Sequence, residues 1–341
     1  MSILRNRRFW QVVGVVGAYA AYRTVVGRAR RYDFRNRVVL ITGGSRGLGL
    51  VLARQLADEG ARLAICSRHG DELERAAWEL RSRGADVVSS VCDVTNPDDV
   101  AALFDATRRR LGPIDVLMNN AGIIQVGPLE AMTDADFEEA LAVHFWAPLR
   151  TMELALPEMR RRGHGRIVNI ASIGGKLSPP HLLPYSASKF ALVGLSQGYR
   201  AELVKDGVYV TTVCPGLMRT GSHWHALFKG QHRLEHAWFS LAASAPLGAI
   251  NAERAARQII NACRDGRAEL TISWPAKIAA RLNALAPELA ADLNAAVVRL
   301  LPAPGGIGAR SREGSESTSP WSPSLVTLLG DRAALRNNEL R

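Results

Sequence analysis

The sequence lacks the features that define several common protein classes. Its 341 residues include only four cysteines, all far apart and without a CxxC pair, which argues against a disulfide scaffold or a cysteine-based zinc module. No uninterrupted apolar run reaches the ~18 residues of a clear membrane-spanning helix, so a multi-span membrane protein is excluded. Hydrophobic residues make up 47% and charged residues 22%, an ordinary globular balance that excludes wholesale disorder.

Acidic residues are nearly absent from the first 37 positions. Nine arginines and a single acid, Asp33, give this stretch a net charge of +8, whereas the whole chain carries +11. The rest of the protein is therefore nearly balanced in charge. Because the basic character is confined to one end, no nucleic-acid partner is expected.

Residues 1–34 form a predicted N-terminal arm whose arginines flank a charge-free apolar segment, residues 9–22. As a helix this segment would be about 21 Å long, shorter than the ~30 Å hydrocarbon core of a bilayer. We expect residues 1–31 to associate with an anionic membrane surface and to leave the body in the cytoplasm. Two alternatives stay open: residues 18–20 resemble a signal-peptide cleavage site, and the segment also suits packing on the body or on a second copy in a homo-oligomer.

Residues 35–275 alternate between short runs of branched apolar residues and amphipathic stretches. The runs predict strands and the stretches predict helices. Strict alternation favours an α/β fold, a single doubly wound, Rossmann-type parallel sheet with helices on both faces. The predicted strands are residues 38–42, 63–67, 87–92, 116–119, 166–171, 208–214 and 269–272.

Two further segments follow the predicted sheet. Residues 276–301 are expected to form a helical C-terminal extension. Residues 302–341 begin with a stretch rich in proline, glycine and serine, so they are predicted to be a flexible linker and tail.

A glycine-rich turn lies directly between the first predicted strand and the helix after it, with Gly43, Gly47 and Gly49 as its regular positions. Such a turn lets the backbone approach a pyrophosphate, and the helix N-terminus then offers N–H groups to it. The strand–turn–helix context predicts a dinucleotide-binding site.

The end of the second strand indicates which dinucleotide is bound. An acid there would accept hydrogen bonds from the ribose 2′-hydroxyl of NAD, but this chain has Ser67 and Arg68. Arg68, and Arg46 in the glycine turn, are fork-shaped donors suited to a 2′-phosphate. We therefore expect NADP as the preferred cofactor, with NAD as the alternative.

These motifs, together with those that follow them, resemble the short-chain dehydrogenase/reductase family from about residue 35 to 272. Residues 42–49 resemble its cofactor turn, residues 119–122 its NNAG motif, and residues 215–220 its nicotinamide-contacting stretch. The resemblance implies a set of cofactor-binding residues, namely Gly43, Ser45, Arg46, Gly47, Leu48, Gly49, Ser67, Arg68, Asp93, Val94, Asn120, Ala121, Gly122, Tyr185, Lys189, Pro215, Gly216, Met218 and Thr220.

Ser172, Tyr185 and Lys189 resemble the catalytic serine and the YxxxK motif of that family. Hydride transfer to a ketone builds negative charge on the carbonyl oxygen, and Tyr185 would supply the proton. Lys189, one helical turn later, would lower the pKa of the phenol and hold the nicotinamide ribose. Ser172 would orient the carbonyl oxygen.

His144 stands where the family usually has an asparagine, in the long helix after the fourth strand. In the family that asparagine supports a helix kink and a water chain that leads to the lysine. A histidine also donates and accepts hydrogen bonds, so a catalytic role in a proton path is one interpretation. A structural histidine is the equally weighted alternative.

Residues 173–184 and 217–248 are predicted to form the substrate wall. Their apolar side chains favour a small, apolar carbonyl or alcohol substrate. The second stretch also holds four histidines, but no HExxH motif or carboxylate cluster accompanies them, so no metal is expected. The residues are Leu177, His181, Leu182, Leu183, Trp224, Phe228, Trp238 and Phe239, and the four histidines are His223, His225, His232 and His236.

The leading functional hypothesis is an NADP-dependent oxidoreductase that interconverts a carbonyl and a hydroxyl group. Two alternatives stay open. One is epimerase or dehydratase chemistry on the same fold, and the other is a non-catalytic, cofactor-binding regulatory protein.

Overall fold

The computed structural model describes residues 10, 14, 17, 18, 21, 24–27, 30–245, 248–324 and 326–340. Most of the apolar segment at residues 9–22, and with it the predicted membrane contact, lies outside the described residues. Among the residues that are described, no helix is both long and apolar enough to cross a bilayer.

A seven-stranded parallel sheet forms the centre of the molecule, as the sequence predicts. Its strands follow the order β3-β2-β1-β4-β5-β6-β7, so the chain starts in the middle and winds outwards in both directions. The strands are β1 Val38–Thr42, β2 Arg62–Ser67, β3 Val87–Val91, β4 Val116–Asn119, β5 Gly165–Ile170, β6 Val208–Pro215 and β7 Glu269–Ile272.

The sheet is buried on both faces, and its inner strands are buried along nearly their whole length. All five residues of β1 are buried, and alternate residues point to opposite sides. Val39 and Ile41 belong to one apolar cluster, while Val38 and Leu40 belong to another on the opposite face. Each cluster is completed by a layer of helices.

The helices of the described chain surround this sheet. They are α1 Gly47–Asp58, α2 Gly70–Ser82, α3 Pro97–Leu111, α4 Asp134–Leu141, α5 Ala147–Arg162, α6 Leu183–Leu203, α7 His232–Ser244, α8 Ala252–Arg264, α9 Trp274–Leu285, α10 Pro287–Val298 and α11 Leu328–Arg336.

A π-helical turn, Ala142–Trp146, separates α4 from α5. The sequence predicts a helix in two pieces here, from about residue 133 to Arg162, and the family resemblance implies a kink near His144. Pro148 has no N–H with which to continue the α-helical ladder, and the N–H of Ala147 instead donates to the carbonyl of Ala142. The wider turn places His144 on the side of the cavity described below.

Short strands tie the later part of the chain to the body. Met218–Arg219 pairs with Ile250–Asn251, and Gln125–Val126 and Arg312–Glu313 both pair with Leu227–Phe228. Residues 302–341 are predicted from the sequence to be a flexible linker and tail. In the structure this segment contains the paired strand Arg312–Glu313 and the helix α11. Its apolar contacts explain the difference, because Ala333 and Ala334 are fully buried.

Candidate active site

The carboxyl ends of the central strands open onto one cavity of about 270 Å³. This cavity is lined by every residue that the sequence predicts for catalysis or cofactor binding except Gly49, which belongs to the glycine-rich turn between β1 and α1. The predicted residues that line it are Gly43, Ser45, Arg46, Gly47, Leu48, Ser67, Arg68, Asp93, Val94, Asn120, Ala121, Gly122, His144, Ser172, Tyr185, Lys189, Pro215, Gly216, Met218 and Thr220.

Close backbone packing explains the glycines of the turn between β1 and α1. Gly43 has a φ of 65°, a conformation in which a side chain is strained. A Cβ on Gly49 would clash with the carbonyl oxygen of Gly43 and would lie 2.6 Å from Nδ2 of Asn120. Nδ2 of Asn120 donates to the carbonyls of Thr42 at 3.1 Å and Gly43 at 2.9 Å. The turn is therefore held in place by the segment after β4.

Tyr185 and Lys189 lie one turn apart on α6, and Ser172 lies just after β5. Nζ of Lys189 donates to the carbonyl of Ile170 at 2.9 Å and is 5.7 Å from the ring centroid of Tyr185. The side chain of Ser172 is hydrogen-bonded to the phenol of Tyr185. Oγ of Ser172 also accepts from the N–H of Gly174 at 3.0 Å. The three side chains thus lie next to one another in the cavity wall.

Burial controls the protonation of this group. It raises the pKa of Tyr185 above the ordinary value of 10, and the hydrogen bond with Ser172 lowers that pKa only in part. It lowers the pKa of Lys189 to about 7. The sequence predicts that Lys189 lowers the pKa of Tyr185, whereas here burial outweighs any such effect. The phenol is therefore protonated at neutral pH, and efficient proton donation would need its pKa to move down towards the working pH.

His144 is buried beside Tyr185, with the two rings edge to face and their centroids 5.5 Å apart. Its Nε2 accepts from the N–H of Ile123 at 3.2 Å, so a neutral ring carries its proton on Nδ1 and donates to Oγ of Ser188, 2.8 Å away. Burial, followed by the charge of Lys189, lowers the pKa of His144 well below its ordinary value of 6.5. Both ring nitrogens of a neutral His144 therefore have partners within the protein.

The two arginines predicted to contact a 2′-phosphate are in different situations. Nη1 of Arg46 lies 3.0 Å from both carboxyl oxygens of Glu72, and its Nε lies 3.3 Å from Glu339. Arg68 is exposed at the rim of the cavity. Burial alone would raise the pKa of Asp93, but hydrogen bonds from Thr95 and the charge of Arg68 lower it. Arg68 thus has more hydrogen-bond donors free for a ligand than Arg46 has.

The predicted substrate wall is only partly correct. None of its eight apolar and aromatic candidates lines the cavity. Phe228 and Phe239 are instead buried in a separate apolar cluster, against which Leu182 and Trp238 pack. The cavity is lined on its apolar side by Ile123, Ile124, Val143, Met218 and Ala226.

Of the four histidines in the second stretch, only His225 reaches the cavity, and within the described chain no cluster of three histidines, cysteines or acids is arranged to hold a metal.

Sequence reasoning missed one lining residue that comes from the far end of the chain. Glu339 lies beside the glycine turn, although 292 positions separate it from Gly47. Nothing in the local sequence around Glu339 resembles a cofactor motif. His225 was named only among the histidines of the predicted substrate wall, and Ser188 was missed although it lies three residues after Tyr185.

Residues 37–227 match the family model described as short chain dehydrogenase. A Streptomyces violaceoruber protein described as a ketoacyl reductase of the granaticin polyketide synthase is 40% identical over 185 residues, which are 54% of this chain and 68% of that protein. Gluconate 5-dehydrogenase of Gluconobacter oxydans is 35% identical over 181 residues, 53% of this chain and 71% of the enzyme.

The crystal structure of L-sorbose reductase from Gluconobacter frateurii, complexed with NADPH and L-sorbose, is similar with a TM-score of 0.64 and 26% identity. It covers 71% of this chain and 97% of that one. The protein therefore belongs to the short-chain dehydrogenase/reductase family. It is an oxidoreductase of that family.

Proposed function

We propose that the protein is an NADP-dependent oxidoreductase that interconverts a carbonyl and a hydroxyl group on a small, apolar substrate. The observation that carries this proposal is the meeting of Ser172, Tyr185 and Lys189 with the glycine turn on one cavity. The family relatives support it, since they are named as reductases and dehydrogenases of carbonyl and hydroxyl compounds. The sorbose reductase structure contains NADPH and adds support for the cofactor.

The backbone around the cavity fits a dinucleotide. The glycine turn keeps Cβ atoms away from the N-terminus of α1, where a diphosphate is favoured. Gly122 leaves space next to His144 and Lys189: a Cβ there would lie 3.1 Å from His144 Nε2 and 3.7 Å from Lys189 Nζ. A bound nicotinamide would supply or accept the hydride, and Lys189 is the cation placed to hold its ribose.

Tyr185 moves the proton in this mechanism. In the direction of reduction, its phenol donates to the carbonyl oxygen as negative charge develops there. Burial raises the pKa of the phenol, so the proton is present at neutral pH. Ser172 orients the carbonyl oxygen, and Lys189 stabilises the phenolate that remains. His144, through Ser188 and Ile123, holds one side of the tyrosine ring in position.

Arg68 is the proposed contact for a 2′-phosphate, because Arg46 is engaged by two carboxyl groups. The apolar lining residues Ile123, Ile124 and Val143 support a substrate with an apolar flank. We further propose that residues 1–31 bring the body to an anionic membrane surface, and that the chain forms a homo-oligomer.

The decisive experiment measures NADPH oxidation by the full chain against a panel of ketones and aldehydes that differ in apolar surface. Tyr185→Phe is the matched variant. We expect at least one carbonyl to be reduced, the variant to lose turnover, and its affinity for NADPH to stay near that of the unmodified chain. Substantial activity in the variant would remove Tyr185 from the role of proton donor. A dinucleotide that binds without any reduction would favour a regulatory protein instead.

A further inference from the structure

The C-terminal end of the chain crosses the cofactor turn. We define residues 326–340 as the strap. The N–H of Gly47, at the start of α1, donates to the carbonyl of Asn337 at 2.9 Å. Nδ2 of Asn338 donates to the carbonyl of Ser45 at 2.9 Å. The strap therefore occupies the N–H of Gly47, a donor of the turn that a diphosphate needs, and is anchored beside it on the carbonyl of Ser45.

Glu339 places a carboxyl group at the same point. Its Oε1 lies so close to Gly47 that a Cβ on this glycine would clash with it, and its Oε2 is 3.3 Å from Nε of Arg46. An acid at the N-terminus of a helix occupies the position that favours an anion. Burial raises the pKa of Glu339 to about 8, against the lowering effect of Arg46. The group is thus withdrawn from water and largely protonated at neutral pH, so it fills the position of an anion by its shape and hydrogen bonding rather than by a full charge.

The strap is held on both sides of the cavity. On the side of the nicotinamide stretch, Nδ2 of Asn337 donates to the carbonyl of Thr220 at 3.3 Å, and Nε2 of His225 lies 2.9 Å from the carbonyl oxygen of Glu339. On the other side, Arg54 donates to Oδ1 of Asn337 at 3.2 Å and Arg75 donates to Oδ1 of Asn338 at 3.0 Å. The strap therefore bridges the glycine turn and the loop that follows β6.

The space left by this arrangement is small. The cavity has a volume of about 270 Å³. Sites that enclose a whole small-molecule ligand usually measure about 300–1,000 Å³, and a dinucleotide is a large ligand of that kind. With the strap in place, the cavity measures slightly less than that range, and Glu339 of the strap forms part of its wall.

We propose that the strap is an autoinhibitory segment, in which Asn337 and Glu339 occupy the diphosphate position and must move away before a dinucleotide binds. This inference rests on the proposed function, because it assumes that the glycine turn binds the cofactor. The strap and the diphosphate compete for the N-terminus of α1. The apparent affinity for the dinucleotide is then reduced by the fraction of molecules in which the strap is closed.

The test compares NADPH binding by four versions of the otherwise complete chain. They are the unmodified chain, Glu339→Ala, a chain that ends at Arg336, and the control Glu316→Ala. The control removes an exposed acid from the same tail, one that pairs with Arg312 away from the cavity. The chain that ends at Arg336 keeps α11, and a denaturant unfolding curve checks that it is folded. Glu339→Ala removes only one side chain and keeps the test valid if the shortened chain does not fold.

We expect the dissociation constant for NADPH to fall about tenfold in the shortened chain and by a smaller factor in Glu339→Ala. A tenfold fall corresponds to a strap that is closed in roughly nine-tenths of the free molecules. The control should not change it. Amide hydrogen exchange of residues 326–336 in the unmodified chain should speed up when NADPH is added.

An unchanged dissociation constant in both altered chains would overturn the inference. Weaker NADPH binding by the two altered chains, together with slower hydrogen exchange of residues 326–336 in the unmodified chain when NADPH is added, would also overturn the inference. That result would show that the strap closes over bound cofactor. If none of the four chains binds NADPH or NADH, the proposed function fails and the strap proposal fails with it. In the two outcomes above the cofactor still binds, so they contradict the strap proposal alone.

Discussion

At the residue scale, the charges around the glycine turn decide how this site is expected to bind a cofactor. Arg46 is shared between Glu72 and Glu339, whereas Arg68 lies exposed at the cavity rim. An arginine that is already paired has fewer donors free for a phosphate. The structure therefore separates two arginines that the sequence treats as equivalent.

Replacing Arg68 with alanine should weaken NADPH binding much more than NADH binding. A charge-assisted hydrogen bond to the 2′-phosphate contributes about 1.5–3 kcal/mol, and NADH has no such phosphate. Titration of both cofactors measures the difference, with Arg161→Ala, a second exposed arginine, as the control. Equal losses for the two cofactors would show that Arg68 does not contact the 2′-phosphate.

A second prediction concerns His236, which is fully buried. Burial, followed by the charge of His223, lowers its pKa to about 4, while Asp331 opposes this and His232 adds to it. The folded protein then binds fewer protons than the unfolded chain between pH 4 and 6.5. The free energy of unfolding should therefore fall as the pH drops through this range, with full stability above about pH 6.5.

His236→Phe should reduce that loss. Between pH 7 and pH 5 the unmodified chain should lose about 2 kcal/mol more of its free energy of unfolding than the variant does. Urea unfolding at the two pH values measures the effect. The same loss in both proteins would assign the pH dependence to other groups.

At the scale of elements, two glycines within helices differ in whether close packing requires them. Gly49 in α1 lies against the carbonyl of Gly43, so the helix and the turn approach each other more closely than any side chain permits. Gly198, in the middle of α6, has no neighbour within 4 Å of an added Cβ. The first glycine is required by packing, and the second is not.

Gly49→Ala should therefore lower the free energy of unfolding by about 1–3 kcal/mol and weaken cofactor binding, because the turn must shift to relieve the clash. Gly198→Ala should raise the free energy of unfolding by about 0.5–1 kcal/mol, because alanine loses less conformational freedom in a helix. Denaturant unfolding of the two variants compares them directly. A Gly49→Ala protein with unchanged stability and affinity would contradict the close approach.

At the scale of the whole molecule, the basic arm and the catalytic body are expected to act separately. No side chain of the predicted arm lines the cavity in the described part of the chain. Arg166, which is buried, donates to the carbonyl of Arg30. The body therefore holds the chain from Arg30 onwards. A chain that starts at Arg30 keeps this contact and removes the apolar segment.

That shortened chain should fold and reduce a water-soluble test ketone at an unchanged rate, whereas the full chain should sediment with anionic vesicles. If charge dominates the binding, added salt should release the protein, since exposed charges are screened within about 10 Å at 0.1 M salt. If the apolar segment inserts, detergent will be required. Full-length protein that remains in the supernatant would contradict membrane association and favour a packing role for the arm.

The sheet and most of the site were predictable because their signals are local. Each strand is a short apolar run, and each of the motifs around Gly43, Asn120 and Tyr185 spans fewer than ten residues. Parallel topology then brings the carboxyl ends of the strands together, which is a general property of this architecture. The family resemblance implied a kink near His144, but the π-helical form of that kink was not predicted, because Pro148 lies outside the turn itself.

The amino-acid sequence by itself determined the parallel sheet, the family and most of the residues that line the cavity, since these depend on neighbours a few positions apart. Only the tertiary structure decided which aromatic residues are buried away from the cavity, and that Arg46 is already paired. It also decided that the strap lies on the glycine turn. Asn338 and Ser45 are 293 positions apart, and their contact depends on how α11 packs against Gly221. No local pattern specifies such a contact, because its free energy comes from two surfaces that meet only after the chain has folded.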